Sequence, residues 1–175
     1  MSPEEIKAND IKRLAAHLKS DLATSLELAN QAYEFASKVE DFSVDEKNPY
    51  IYAVAVTLQH FYTSLETAFK RVVKEMEGNL PQGESWHRDL LEEVCLEIKG
   101  VRPELISIEI KKELDRIRRF RHVVRHGYEY DLDWIQISPL IKILEEIIPE
   151  LKKNFKEFNS FLFELADKIE KDNRL

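Results

Sequence analysis

The side chains best suited to chemistry lie together in the stretch FRHVVRHGYEYDLDW, which runs from Phe120 to Trp134. Two arginines, two histidines and two tyrosines fall between Phe120 and Tyr130 of an otherwise acidic chain. Histidine can take or give a proton near neutral pH, and arginine can hold a phosphate with two parallel hydrogen bonds. The stretch therefore indicates a site that handles a phosphate, rather than a solvated charge cluster.

Helical spacing singles out Arg121. It continues an apolar seam whose earlier members recur every three or four residues: Ile106, Ile110, Leu114 and Ile117. A guanidinium at a buried position costs free energy unless it is paired or solvated. Two structural explanations stay open, because Arg121 could pair with an acid of the core or extend its tip to solvent. The remaining explanation is a functional site.

His126 ends the same helix, about 140° round an ideal helix axis from Arg121. Gly127 can take a positive φ and bend the chain, which would bring the imidazole to the same place. Tyr128 returns to the face of the arginine. An arginine and a histidine together could cleave RNA without a metal. A base takes the 2′-hydroxyl proton, the oxygen attacks phosphorus, the guanidinium neutralises the pentacoordinate state, and an acid protonates the leaving 5′-oxygen.

The charge of the chain is unevenly distributed. The net charge is −7, which argues against a general nucleic-acid binder. Residues 111–126 hold seven Lys/Arg and two acids, a net of +5, so the rest of the chain carries −12. This pattern fits an anionic ligand at one place. The alternative is an exposed basic helix face whose charges form salt bridges.

The chain reads as helical throughout, with prolines at helix starts and glycines at Gly78, Gly100 and Gly127 marking ends. We predict an all-α, up-and-down bundle in which residues 1–175 form a single domain. Pro149 should kink or split the last helix. The five helices are expected over these residues, with Pro103 opening the fourth: 3–41, 49–77, 85–99, 103–126 and 134–172.

Composition also predicts where the protein works. Cys95 is the only cysteine, so the chain has no internal disulfide and no cysteine zinc site. No apolar run approaches the roughly 20 residues of a membrane-spanning helix. The first residues are acidic and polar, unlike a secretory signal. The cytoplasm is the expected location.

Residues 121–128 read R-H-V-V-R-H-G-Y and fit the pattern R-x-x-x-x-H-x-Y at a helix end. This resembles the active-site motif of HEPN-domain proteins, in particular the HepT-like toxin ribonucleases. The all-helical bundle and the position of the motif at the end of the penultimate long helix resemble the same family. The likeness covers most of the chain in outline and is specific at these eight residues.

The resemblance implies that Arg121 and His126 are the catalytic pair of a metal-independent endoribonuclease without a cofactor, supported by His122. HEPN ribonucleases typically act as homodimers whose motifs meet in one cleft. Tyr128 matches the tyrosine that an MNT-type nucleotidyltransferase antitoxin modifies with AMP, which would repel an RNA phosphate. RNA, the antitoxin and a second copy are thus the implied partners. Five basic side chains are possible contacts to the RNA backbone: Lys111, Lys112, Arg118, Arg119 and Arg125.

Other interpretations of these residues stay open. His122 and His126 form an i,i+4 pair that could bind zinc, but no third ligand is evident and Val123 stands where zinc proteases carry glutamate. We therefore predict no metal. Residues 85–89 hold a hydroxyl, an imidazole and a carboxylate too close in sequence for a nucleophile triad, although His87 could line the same groove. Tyr130 receives no role.

Two non-enzymatic functions compete with the nuclease. Some HEPN proteins are substrate-binding subunits of two-component nucleotidyltransferases, and these tend to lack the full motif. The chain could also be a plain helical interaction module whose basic patch binds an acidic partner. The complete motif favours the nuclease.

Overall fold

A computed structural model describes residues 3–42, 49–126 and 132–172, without the side chains of residues 3–6, 40, 42, 122, 123, 125, 126 and 172. These ranges contain five helices: α1 Pro3–Phe42, α2 Pro49–Glu77, α3 Trp86–Glu93, α4 Ile108–His126 and α5 Trp134–Asp172. The all-α prediction is confirmed, because the same ranges contain a single isolated β-bridge and no strand. Among the described helices, none combines the length and the apolar content needed to cross a bilayer.

The second helix is the centre of the bundle, since α2 touches all four other helices. Its apolar residues recur every three or four positions, and the largest of them, including Phe61, Leu65 and Phe69, are fully buried. Burying a side chain of this size contributes about 1.5–3 kcal/mol. Buried residues from all five helices join in one core cluster. α1 packs on α2 and α5, whereas α3 and α4 both pack on α2.

The sequence predicts the long helices well. α1, α2 and α5 begin and end within one residue of their expected limits, and Gly78 takes a positive φ directly after α2. The last helix is not split at Pro149, because α5 runs through both of its prolines. Pro149 is exposed, and so is Glu145, the residue four positions earlier whose carbonyl loses its hydrogen-bond donor.

The end of α3 differs from the prediction. The helix stops at Glu93 rather than 99, and the chain then makes a tight turn over Ile98–Arg102 in which Gly100 has a φ of +77°. Arg102 causes this turn. Its fully buried guanidinium donates to the carbonyl oxygens of Glu93, Leu96 and Pro103. These carbonyls therefore find a donor outside a helix, and Gly100 belongs to the turn instead of ending α3.

The start of α4 also differs, because Pro103 does not open the helix. Leu105 and Ile106 instead donate their amides to the carbonyl of Val94, at 2.9 and 3.4 Å. The helix begins at Ile108, where the hydroxyl of Ser107 accepts the amide of Ile110 at 3.4 Å. A serine that caps the third amide of a helix is a strong start signal. Ser107 therefore outweighs Pro103 as the start signal of α4.

Replacing Arg102 with methionine tests the anchor of the α3–α4 connection. The change leaves the carboxylate of Glu77, which accepts from Arg102 Nε at 2.7 Å, without its buried donor. We expect the free energy of unfolding, measured by urea denaturation, to fall by about 3–5 kcal/mol. Arg88→Met is the control, because Arg88 is exposed and its ion pair with Asp89 should contribute no more than about 1 kcal/mol. Equal losses in the two variants would contradict the anchoring role.

Candidate active site

Arg121 lies between α4 and α2, with a side chain only 10 % exposed. The seam that predicts its burial is real, since Ile110, Leu114 and Ile117 are all buried. The guanidinium Nη1 donates to both carboxylate oxygens of Glu66, at 3.2 and 3.3 Å. Of the explanations that the sequence left open, the structure therefore supports pairing with an acid of the core, which is Glu66.

Glu66 is the partner that sequence reasoning missed. It lies on α2 with a side chain 3 % exposed, four residues after Tyr62 and three before Phe69. An acid on the apolar stripe of a helix is as unusual as an arginine on the seam of another. Together the two exceptions indicate an ion pair, because charges that are buried must be paired.

His87 completes the cluster from α3. Its Nδ1 makes a short contact with Glu66 Oε1 and lies 3.2 Å from Arg121 Nη1. Since a guanidinium only donates and an ionised carboxylate only accepts, Nδ1 cannot serve both as donor and acceptor. Because the carboxylate is the closer of the two groups, we assign Nδ1–H as a donor to Glu66. Arg121 donates from Nη1 to the same carboxylate. This tautomer leaves Nε2 as the acceptor nitrogen of the ring.

A groove borders the cluster on the side of α3. Trp86 stacks on the ring of His87, with centroids 3.5 Å apart, and the ammonium of Lys70 lies 4.1 Å from the centre of the indole ring. Lys70 is also 3.9 Å from Glu66 Oε2. The groove has a volume of about 450 Å³, and its walls come from α2, α3 and the connection between them: Lys70, Leu80, Pro81, Gln82, Gly83, Trp86 and Leu90.

Two polar atoms beside the ion pair have no hydrogen-bond partner within the described ranges. They are the hydroxyl of Tyr62 and Nε of Arg121, and both are buried. The guanidinium carbon lies 5.9 Å from the centre of the Tyr62 ring. Burial raises the pKa of Tyr62 far above its usual range, and the negative charge of Glu66 adds to the rise. The hydroxyl of Tyr62 is therefore protonated and uncharged at neutral pH.

A sequence model of a protein family, described as "HepT-like protein", matches residues 53–162, which is well over half of the chain. The chain is a HepT-like protein of the HEPN family. The resemblance of the motif is thereby confirmed at the level of the family, and the matched segment holds Glu66, His87 and Arg121. No curated protein and no solved structure matches the sequence.

Several predicted site residues of this HepT-like chain lie outside the described part. His122, Arg125 and His126 belong to the backbone of α4, but their side chains are outside it, and so is all of Tyr128. Their roles, and the meeting of the His126 imidazole with Arg121, stay predictions. Tyr130 is outside the described part as well. No group of three His, Cys, Asp or Glu residues that could hold a metal occurs among the described side chains.

The basic face of α4 is partly neutralised. Arg118 and Arg119 both reach the carboxylate of Asp115, at 2.7 and 2.5 Å, and Lys111 lies 3.6 Å from Glu92. Burial alone would raise the pKa of Asp115, but the hydrogen bonds from the two arginines outweigh it and hold that pKa below its usual range. Lys112 and Arg119 are exposed. Contact of these side chains with RNA stays a prediction, and the salt-bridge alternative explains much of the face.

Tyr62→Phe tests the burial of the cluster through alkaline pH. A folded pKa above the unfolded value means that the unfolded chain releases this proton first, so stability due to neutral Tyr62 is lost as pH rises past about 10. We expect the variant to gain stability over the wild type by up to about 1.4 kcal/mol per pH unit above pH 10. Urea denaturation at pH 8 to 11 measures it. The exposed Tyr52→Phe is the control, and parallel curves for both variants would refute the assignment.

Proposed function

We propose that this HepT-like protein is the toxin of a toxin–antitoxin pair, an endoribonuclease that cleaves RNA without a metal. Arg121 and His126 would be its catalytic pair, and His122 would support them. RNA is the substrate, a second copy of the chain completes the cleft, and an MNT-type nucleotidyltransferase modifies Tyr128. Membership of the family supports the toxin-type fold, whereas the activity rests on the site.

The observation that carries the proposal is the state of the guanidinium. Every hydrogen bond that Glu66 receives from Arg121 comes from Nη1, while the buried Nε has no acceptor within the described chain. An unpartnered buried donor costs about 1–3 kcal/mol, and an arriving phosphate oxygen would remove that cost. Lys70 adds a positive charge that the Glu66–Arg121 pair does not cancel. The cluster therefore suits an anion whose charge grows during reaction.

One observation favours the competing function. The ion pair with Glu66 gives Arg121 a structural role that needs no substrate. A HEPN subunit that only binds substrate for a two-component nucleotidyltransferase could keep such a pair and cleave nothing. An RNA digest separates the two functions, because only the nuclease acts alone.

In an RNA digest with EDTA, we expect the wild type to leave 2′,3′-cyclic phosphate ends, which mass spectrometry identifies. His126→Ala and Arg121→Lys should each slow cleavage by about 100-fold or more. Lysine keeps a positive charge beside Glu66, so Arg121→Lys perturbs folding less than alanine would but loses the guanidinium fork. The controls are His60→Ala and Arg116→Lys, two exposed positions.

Three results would count against the nuclease. Wild-type cleavage that EDTA abolishes and a divalent ion restores would contradict the metal-free mechanism. Full activity in His126→Ala would remove His126 from the catalytic pair. A wild type that cleaves no RNA but stimulates a nucleotidyltransferase would favour the substrate-binding subunit.

Tyr128→Phe tests the control by the antitoxin. The variant should keep most of the nuclease activity but take up no AMP from the nucleotidyltransferase and ATP, because it lacks the phenol oxygen that attacks the nucleotide. Intact-protein mass spectrometry measures the AMP load. Tyr130→Phe is the matched control and should be modified like the wild type. An unchanged AMP load on Tyr128→Phe would assign the modification to another residue.

A further inference from the structure

Cleavage of RNA by its own 2′-hydroxyl needs two proton transfers. As the 2′-oxygen bonds to phosphorus, its proton moves to a base, and as the bond from phosphorus to the 5′-oxygen breaks, that oxygen takes a proton from an acid. The products are a 2′,3′-cyclic phosphate and a 5′-hydroxyl, and no other reactant is consumed. The resemblance gives one of these tasks to His126 and only a supporting role to His122, so the second proton carrier is unassigned.

We propose that His87 is this second proton carrier, a catalytic residue that the fold brings to Arg121 from outside the motif. The proposal rests on the nuclease function proposed above. His87 is separated from Arg121 by 34 residues in sequence, yet its Nδ1 lies 3.2 Å from the guanidinium Nη1. A proton carrier at this distance would stand beside the phosphate that the guanidinium holds.

Glu66 orients the ring of His87. The carboxylate accepts from Nδ1–H, which fixes the tautomer and leaves Nε2 free of that bond and able to exchange a proton with the substrate. A carboxylate, an imidazole and a reacting oxygen in this order are the arrangement by which hydrolases position a histidine. Glu66 would also stabilise the imidazolium that forms when Nε2 takes up a proton.

The surroundings of His87 suit a working group better than a core histidine. Its side chain is 26 % exposed, although its partners Glu66 and Arg121 are buried. Among the described side chains, the charged groups of this cluster are Glu66 and Lys70 from α2 and Arg121 from α4. Trp86, which stacks on the His87 ring, also lines the groove of about 450 Å³ that an RNA chain would occupy.

His87→Asn is the decisive variant. The amide nitrogen of asparagine can replace Nδ1 as the donor to Glu66, but asparagine transfers no proton. We expect wild-type thermal stability and a loss of cleavage of about 100-fold or more, since a positioned acid or base contributes this much. His60→Asn, the same change at an exposed position of α2, should cleave like the wild type.

A substrate with a sulfur in place of the 5′-oxygen at the mapped cleavage site reveals which proton His87 moves. Thiolate leaves without a proton, so His87→Asn should cleave this RNA at the wild-type rate if His87 is the acid. If His87 is the base, the variant stays slow on both substrates, and added imidazole should restore part of the activity of His87→Ala. Either result supports the proposal.

Two results would overturn it. His87→Asn could cleave ordinary RNA as fast as the wild type, or it could be slow on both substrates while imidazole rescues nothing, which would make His87 a structural residue. Failure of the nuclease function looks different, because then the wild type itself cleaves no RNA in EDTA. If cleavage requires His87 but His126→Ala is fully active, only the catalytic role of His126 is disproved.

Discussion

The ion pair between Glu66 and Arg121 is the constraint on which the site depends. Each partner alone would be a charge enclosed by apolar side chains, and such a charge costs several kcal/mol. Together they neutralise one another at 3.2 Å between α2 and α4. Removing either one leaves the other uncompensated, so the pair fixes how the two helices meet. His87 adds α3 to the same contact through the shared carboxylate.

Stability alone does not account for such a pair, because well-packed apolar residues of similar size are often equally stable or better. The cluster has features that a purely structural pair does not need. Arg121 uses only Nη1 toward Glu66, its Nε is without an acceptor in the described ranges, and a partly exposed histidine shares the carboxylate. A guanidinium already fixed in place loses little freedom on meeting a phosphate, and this pre-organisation is what electrostatic catalysis requires.

The sequence predicts the parts of the fold that local rules decide. Long amphipathic stripes and prolines at helix starts place α1, α2 and α5, because periodicity and backbone restriction act within a few residues. The predicted end of α3 is wrong, because Arg102 satisfies carbonyls on both sides of the turn, and the burial of Arg102 depends on the bundle around it. The predicted start of α4 is wrong, because the helix begins after the cap of Ser107 and not at Pro103. Helical spacing likewise marks Arg121 as anomalous, but Glu66 is 55 residues away and His87 lies on a third helix. No local pattern connects them.

Two acids of α4 form ion pairs with three arginines of the same helix. The excess of +5 over residues 111–126 already includes Glu113 and Asp115, which pair with Arg116, Arg118 and Arg119. Among the described side chains, Glu92, which lies 3.6 Å from Lys111, adds a negative charge from outside this segment. A chain with a net charge of −7 attracts RNA only weakly from a distance. In the proposed nuclease, recognition of RNA would then come from short-range contacts with Arg121 and His87 and with the groove that Lys70 and Trp86 line. If an antitoxin modifies Tyr128, as proposed above, such dependence on short-range contacts makes the modification effective, because it removes contacts that no general attraction replaces.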